Sequence, residues 1–272
     1  MYWPSLVLPK SWRQRFWRGQ LGICNICTSE IRDWKWRGHS YPIVQELDIV
    51  GSGRRKADCP VCGSSDRDRL VWEYLQSLLT NSEKEVRGSG LEERISVLHV
   101  APERCISDRL KSHPRIDYVA VDLKHPGYWY PAWVINADIS VNFSTRPLRF
   151  DFILCNHVLE HVKDDASALR TLISKLNPQG QLIITVPRSL RLLTTREVPE
   201  TEWERMSKQQ KINFFGQSDH RRIYGIDLLD RWREFTKEIG GNWREIPSKS
   251  NHSTQKKYCL NPKERLIVYF RG

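Results

Sequence analysis

Phe150-Asp-Phe-Ile-Leu-Cys155 is an apolar run broken by one acid. After a helical stretch closing near Leu176-Asn-Pro178 it is followed by a second run, Gly180-Gln-Leu-Ile-Ile-Thr-Val186, stopped at Pro187. Strands that are apolar along nearly their whole length and separated by helices belong to a parallel sheet buried on both faces. Upstream, Ile95-Ser-Val-Leu-His-Val100 ends at Ala101-Pro102, and residues 102–111 read as the following helix, since proline is tolerated in a first helical turn. Asp117-Tyr-Val-Ala-Val-Asp122 is a second strand and residues 133–136 a weaker third. Downstream, helices are expected around 200–211 and 226–239. Residues 243–246 and 266–271 are strand-like, with a polar, helix-free excursion between them, and form a terminal antiparallel hairpin. Before the first strand, Leu70, Val71, Tyr74, Leu75, Leu78 and Leu79 recur at helical spacing. They predict a helix over 66–80, capped by Ser64 or Ser65 and followed by a polar linker over 81–90. The fold class is α/β.

The 272 residues suit one full-sized domain plus an appendage. Composition, 39% hydrophobic and 28% charged, is that of a globular protein, and no run approaches the roughly 20 apolar residues of a membrane span. The stretch from Trp3 to Pro9 is too short and too broken by proline for a signal peptide, so a cytoplasmic location is expected. Seven cysteines are an odd number for a closed disulfide framework, and Cys24-Asn-Ile-Cys27 with Cys59-Pro-Val-Cys62 has the spacing of a metal site. Four thiolates around zinc leave no open position, so the ion is expected to be structural. Cys155, closing its apolar run, is expected to be buried. The expected organisation is a basic aromatic arm (1–20), a zinc-ribbon-like module (21–65) and a catalytic domain (66–272). Trp34 and Trp36, in the long loop between the cysteine pairs, are expected to pack against that domain.

A net charge of +11 points toward polyanions or an anionic membrane surface. The arm carries Lys10, Arg13, Arg15 and Arg18, no acid, and Trp3, Trp12, Phe16 and Trp17 between them. A solvated arm with its aromatics packed on the domain is the plain reading. A peripheral membrane segment or a nucleic-acid contact are the others.

The turn His99-Val-Ala101-Pro102-Glu103 disfavours a phosphate-bearing dinucleotide. Pro102 removes an N–H, and Glu103 puts a carboxylate where phosphate oxygens would sit. A cationic, phosphate-free nucleoside suits it better. From residue 95 to 271 the chain resembles class I S-adenosylmethionine-dependent methyltransferases. The likeness is densest at Phe150-Asp-Phe-Ile-Leu-Cys-Asn-His-Val-Leu-Glu-His-Val162 and Leu176-Asn-Pro-Gln-Gly-Gln-Leu-Ile-Ile-Thr-Val-Pro187. It is also similar to bacterial zinc-containing methyltransferase-like proteins at Cys59-Pro-Val-Cys62, Asp66-Arg-Asp-Arg-Leu70, Val97-Leu-His-Val-Ala-Pro-Glu103 and Phe215-Gly-Gln-Ser-Asp-His-Arg-Arg-Ile-Tyr-Gly225.

The resemblance implies a Rossmann-like seven-stranded sheet with its last strand antiparallel, and S-adenosylmethionine as cofactor beside the structural zinc. His99, Ala101, Pro102 and Glu103 would surround the methionine, with Glu103 on its amine, although an acid at a helix N-terminus also serves the helix dipole. Asp122, with Leu123 beside it, stands where such folds bind ribose hydroxyls. Asp138 and Ile139 would meet the adenine, and Asn156 and His157 the methyl end. His157, His161 and His220 are the candidate general bases, each equally readable as a structural histidine. His157-Val-Leu-Glu160-His161 also matches an inverted zinc-protease signature, but it abuts a buried strand instead of lying inside a long helix. The segment 219–222, with Tyr224, is expected to close over the acceptor, where its arginines would favour an anion. The expected acceptor is O or N of a polar small molecule or saccharide. The alternatives are an RNA methyltransferase gripping nucleic acid with module and arm, and a non-catalytic binding protein on this scaffold.

Overall fold

The computed structural model describes residues 9–89, 94–125 and 130–272. The start of the arm, Trp3 included, and Gly90 lie outside them. Seven strands form one sheet: β1 Ile95–Val100, β2 Ile116–Asp122, β3 Val134–Asn136, β4 Phe150–Asn156, β5 Leu176–Thr185, β6 Asn242–Ile246 and β7 Leu266–Phe270. Their order is β6-β7-β5-β4-β1-β2-β3. β1 to β5 pair in parallel, while β7 runs antiparallel to both β5 and β6. This is the seven-stranded sheet of class I methyltransferases, with the terminal hairpin in place. Strand order reverses between β1 and β4, and doubly wound sheets bind ligands at the carboxyl ends of the strands at such a point.

Because side chains alternate along a strand, each strand serves two cores. Val97, Leu154, Ile183 and Val268 face one side, and Leu98, Ile153, Ile184 and Ile267 the other. The second side is covered by α3 (Asp165–Ser174) and α4 (Leu228–Thr236), through Leu169, Leu172, Ile173, Leu228 and Trp232. There Tyr224, Trp232, Trp243 and Tyr269 form a chain of tilted and edge-on rings 5.0–5.5 Å apart, and the Trp243 indole donates to Thr236 Oγ1 at 2.9 Å. The first side is covered by α1 (Asp66–Ser89) and α2 (Arg104–Lys111). Ser65 caps α1: its hydroxyl accepts from Asp68 N and the Asp68 carboxylate accepts from Ser65 N. Leu70, Val71 and Leu75 then share a single cluster with Cys24, Cys27, Ile31, Trp34 and Val61. The cysteine-rich segment is therefore part of this core.

Arg69 joins these parts. It is fully buried, stacks over Trp34 at 4.3 Å, and donates to the carbonyls of Ser64, Ala57, Tyr258 and Cys259 at 2.7–3.0 Å. One guanidinium thus ties the cysteine segment, α1 and the approach to β7 together.

Five local readings differ. α1 continues through the polar stretch to Ser89, which lacks the proline or αL glycine that would stop it. The stretch 200–211 breaks into Glu200–Arg205 and Lys208–Phe215, because the Ser207 hydroxyl and Gln210 side chain form a reciprocal capping box that restarts the helix. A short helix, His252–Lys257, capped by Asn251, occupies the excursion between β6 and β7. In the arm, Lys10–Trp17 is helical with Trp17 packed on the core, but Trp12 and Phe16 stay 68% and 60% exposed. Trp34 packs as expected and Cys155 is buried; Trp36 is exposed beneath Arg54. No helix among the described residues is long and apolar enough to cross a membrane.

Arg69→Ala takes a charged donor from four carbonyls, of which Ser64 O keeps the Cys59 amide, at about 1–3 kcal/mol for each group left unsatisfied before relaxation. We expect a loss of at least about 3 kcal/mol in urea denaturation, little recovered by Arg69→Lys, whose ammonium lacks the planar fork.

Candidate active site

The turn after β1 and the end of β2 lie side by side. Val100 pairs with Val121, and Ala101 N donates to Val121 O at 2.8 Å, which sets Ala101 against Asp122. Asp122 is half-buried, and burial raises its carboxyl above the usual range. Leu123, beside it, is 45% exposed. Across the reversal, Asn156 ends β4, with Asn156 Oδ1 accepting from Thr185 Oγ1. Ala101 and His157 both have left-handed backbone, φ +48° and +52°. Non-glycine residues enter that region at a cost of about 1–2 kcal/mol, and such strain gathers at functional sites. Both positions flank the crevice.

Several buried polar atoms around this crevice take no hydrogen bond: Glu103 Oε1, Asn156 Nδ2 and His157 Nε2. Glu103 is only half committed. Its Oε2 meets His99 Nε2 at 2.7 Å, while His99 Nδ1 meets the Tyr118 hydroxyl at 3.0 Å. His99, fully buried, is thus a positioning residue for Glu103, and Pro102 is buried beneath the turn. The third expected patch is less free. Asp138 Oδ1 accepts from the backbone and hydroxyl of Ser140, closing a tight turn, and Ile139 is buried in the core.

His157 also lines a solvent-open cleft of about 700 Å³. Arg37, His39, Tyr41 and Arg55 come from the cysteine-rich side, Arg67 from α1, and Gln217 from the loop before His220. Arg37 pairs with Asp58 at 2.6 Å and Arg55 is bidentate on Asp66 at 2.7 and 2.8 Å. Arg67 has a long contact to Asp68, 3.8 Å, and its buried Nε takes no partner. Gly51, φ +82°, forms part of the wall: a Cβ there would meet His157 Cε1 at 3.1 Å and Glu264 Oε2 at 3.3 Å. Sequence reading missed Arg37, Arg55 and Arg67, for nothing in their spacing marks them as neighbours.

The predicted bases gather in one place. His157 Nδ1 lies 3.2 Å from Glu160 Oε1 and His161 Nε2 4.0 Å from it, and the His161 and His220 rings meet edge-on at 4.8 Å. Burial pushes His157 and His220 below the ordinary imidazole range and Glu160 above the carboxylate range. Arg221, Arg222 and Tyr224 are bonded within the protein. Arg221 holds Glu200 at 2.5 Å and the His161 carbonyl. Arg222, 4% exposed, donates to the carbonyls of Leu159, Val162 and Lys163. The Tyr224 hydroxyl donates to Asp165. These residues clamp the loop that carries Glu160 and His161.

On the far side of α1, the two cysteine pairs fold as matching knuckles. Thr28 N donates to Cys24 O as Gly63 N does to Cys59 O, and Cys24 N donates to Ser29 O as Cys59 N does to Ser64 O. Thr28 and Gly63 both take positive φ, +61° and +79°. The four Sγ atoms lie within 4.8 Å of one another, with Cys24–Cys62 at 3.6 Å and Cys27–Cys59 at 3.7 Å. A tetrahedron with metal–sulfur bonds of about 2.3 Å has edges of about 3.8 Å, so the donor set fits zinc.

Residues 84–224 match the family described as "Methyltransferase domain". The chain belongs to that family. No curated protein matches it in sequence. Among solved structures it is similar to the YcgJ protein of Bacillus subtilis (13% identity over 70% of this chain and 97% of that one, TM-score 0.39). It is likewise similar to the N-methyltransferase NodS of Bradyrhizobium japonicum (14%, 76% and 96%, TM-score 0.38). The plantazolicin methyltransferase BpumL, solved with S-adenosylhomocysteine, is a third (15%, 75% and 85%, TM-score 0.42). The chain spans 49% of the CurJ carbon methyltransferase chain. At these identities and scores the methyltransferase neighbours add nothing to what strand order and family membership establish.

Behind the cleft, burial raises Glu264 to about 7, helped by Asp66 and opposed by Arg67 and Arg55. Its proton is held more tightly folded than unfolded, so stability falls as pH climbs from the unfolded value of 4.5 through 7. Glu264→Gln is expected to exceed the wild type by on the order of 2–3 kcal/mol near pH 8 and to match it near pH 4, read by urea denaturation.

Proposed function

We propose that this methyltransferase uses S-adenosylmethionine to methylate oxygen or nitrogen of a polar small-molecule or saccharide intermediate. The observation that carries this reading is the crevice between β1 and β4. There the Ala101 turn lies against Asp122, and the unbonded Glu103 Oε1 and Asn156 Nδ2 await partners. Glu103 would hold the methionine amine, Asp122 the ribose hydroxyls with Leu123 beneath, Asp138 and Ile139 the adenine edge, and Asn156 with His157 the methyl end. When bound, the cofactor supplies an electrophilic methyl on sulfur. The chain's own contribution is to hold the acceptor in line and exclude water, which accounts for most of the rate in such displacements.

The arginine-rich cleft beside His157 supports a polar acceptor. His157, His161 and His220 are the groups near enough to receive an acceptor proton. The chain joins, on this reading, the bacterial zinc-containing methyltransferase-like proteins, with Cys24, Cys27, Cys59 and Cys62 around a structural zinc. An RNA acceptor draws on one observation, the exposed Trp36 beneath Arg54 and Lys56. Such binding would weaken steeply with salt, whereas a small acceptor would show little dependence.

Asp122→Ala is expected to remove calorimetrically detectable S-adenosylmethionine binding while leaving one zinc per chain. Retained binding would put the nucleoside elsewhere. Cys62→Ser is expected to lose zinc and lower the melting temperature, as removal of a structural metal does; full zinc content in that variant would refute the four-thiolate site.

A further inference from the structure

Glu160 is 1% exposed, and neither carboxylate oxygen takes a hydrogen bond. Leaving a buried carboxylate in that state costs several kcal/mol, so it calls for a proton or a cation. The charged groups that act on it are His161 and, after it, Arg67 and Asp219, and the His157 ring lies 3.2 Å from Oε1, but none of them hydrogen-bonds the carboxylate. One ligand atom each from Glu160, His161 and His220 lies within 4.8 Å of the other two. Adjacent ligands of a cation bound at about 2.1 Å stand about 3 Å apart in an octahedron, so the three side chains would draw closer on binding.

The surrounding bonds point the same way. His161 Nδ1 faces the Asp219 carbonyl at 3.3 Å and its carboxylate at 3.4 Å, leaving Nε2 toward Glu160. A histidine ligand ordinarily has its second ring nitrogen held by such a group, which fixes its tautomer and orientation. The backbone of all three is pinned: Glu160 O accepts from Arg221 N at 2.8 Å, His161 O from Arg221 Nε at 3.2 Å, and His220 O from Trp203 Nε1 at 2.9 Å. Glu160 and His220 are buried, whereas the His161 side chain is 34% exposed, so one face of the cluster opens to solvent.

We propose that Glu160, His161 and His220 form a second metal site, for a divalent transition cation, separate from the thiolate cluster. Two imidazoles and one carboxylate suit manganese, iron or cobalt, and the open side leaves positions for water or an acceptor oxygen. A cation there would orient and polarise an acceptor hydroxyl, and with His161 and His220 as its ligands the proton would go to His157, whose Nε2 is unbonded. That role rests on the methyltransferase reading; the binding itself does not.

The test is a Mn2+ titration of the full chain carrying a single equivalent of zinc, which the four thiolates take first, following the free-ion signal by electron paramagnetic resonance. Hard Mn2+ has little affinity for the thiolate site. One Mn2+ per chain is expected for the wild type, with affinity reduced about tenfold or more in Glu160→Gln, His161→Asn and His220→Asn, and less in Asp219→Asn. Zinc content and S-adenosylmethionine affinity should be unchanged. His161, being partly exposed, gives a variant that folds even if Glu160→Gln does not. A wild type that leaves Mn2+ free at millimolar concentration overturns the site. So do His161→Asn and His220→Asn variants that bind as tightly as the parent. Failure of S-adenosylmethionine to bind, with Mn2+ binding intact, sinks the cofactor assignment and leaves this site standing.

Discussion

A guanidinium buried without a carboxylate partner is the contact on which the architecture turns. Arg69 keeps its charge inside the protein because four carbonyls and the Trp34 face replace its water. Those carbonyls belong to segments far apart in the chain, so the geometry of one side chain fixes their relative placement. The cysteine-rich segment consequently joins one hydrophobic cluster with α1 and the sheet. That placement brings Arg37, Tyr41 and Arg55 across from His157, and so builds one wall of the cleft.

The opposite wall is set by a different constraint. Where strand order reverses, the chain must leave β1 and β4 in diverging directions, and both exits pass through left-handed backbone at Ala101 and His157. Neither residue is a glycine, so the strain is held by the packing around it: the Ala101 amide on Val121, the His157 amide on Thr185. The unbonded atoms of Glu103, Asn156, His157 and Glu160 sit on or next to these exits. Polar groups gathered there without partners destabilise the folded chain and equip it to bind polar ligands.

The arginines divide by what they touch. Arg221 and Arg222, prominent in the sequence as a pair beside a histidine, are consumed in holding the loop from Leu159 to Lys163 and the strand end at Glu197. They act on the site by fixing where Glu160, His161 and His220 stand. Arg67, whose buried Nε takes no hydrogen bond and has only a 3.8 Å contact to Asp68, faces the cleft.

Much of the fold was legible because its signals are local. Apolar runs at 95–100, 117–122, 150–155 and 180–186 give a parallel sheet, and Cys-x-x-Cys pairs give a thiolate cluster. The helix starts at Ser207 and Asn251 were weaker signals, since a cap of one or two side chains competes with propensity over a few residues. Only tertiary structure decided which residues meet. His157 and Glu160 are close in sequence, yet the third imidazole comes from residue 220 and the cleft's arginines from positions 37, 55 and 67. Periodicity reports which face of an element is apolar; it carries no information about which polar side chains from distant segments converge, because that is fixed by how whole elements pack.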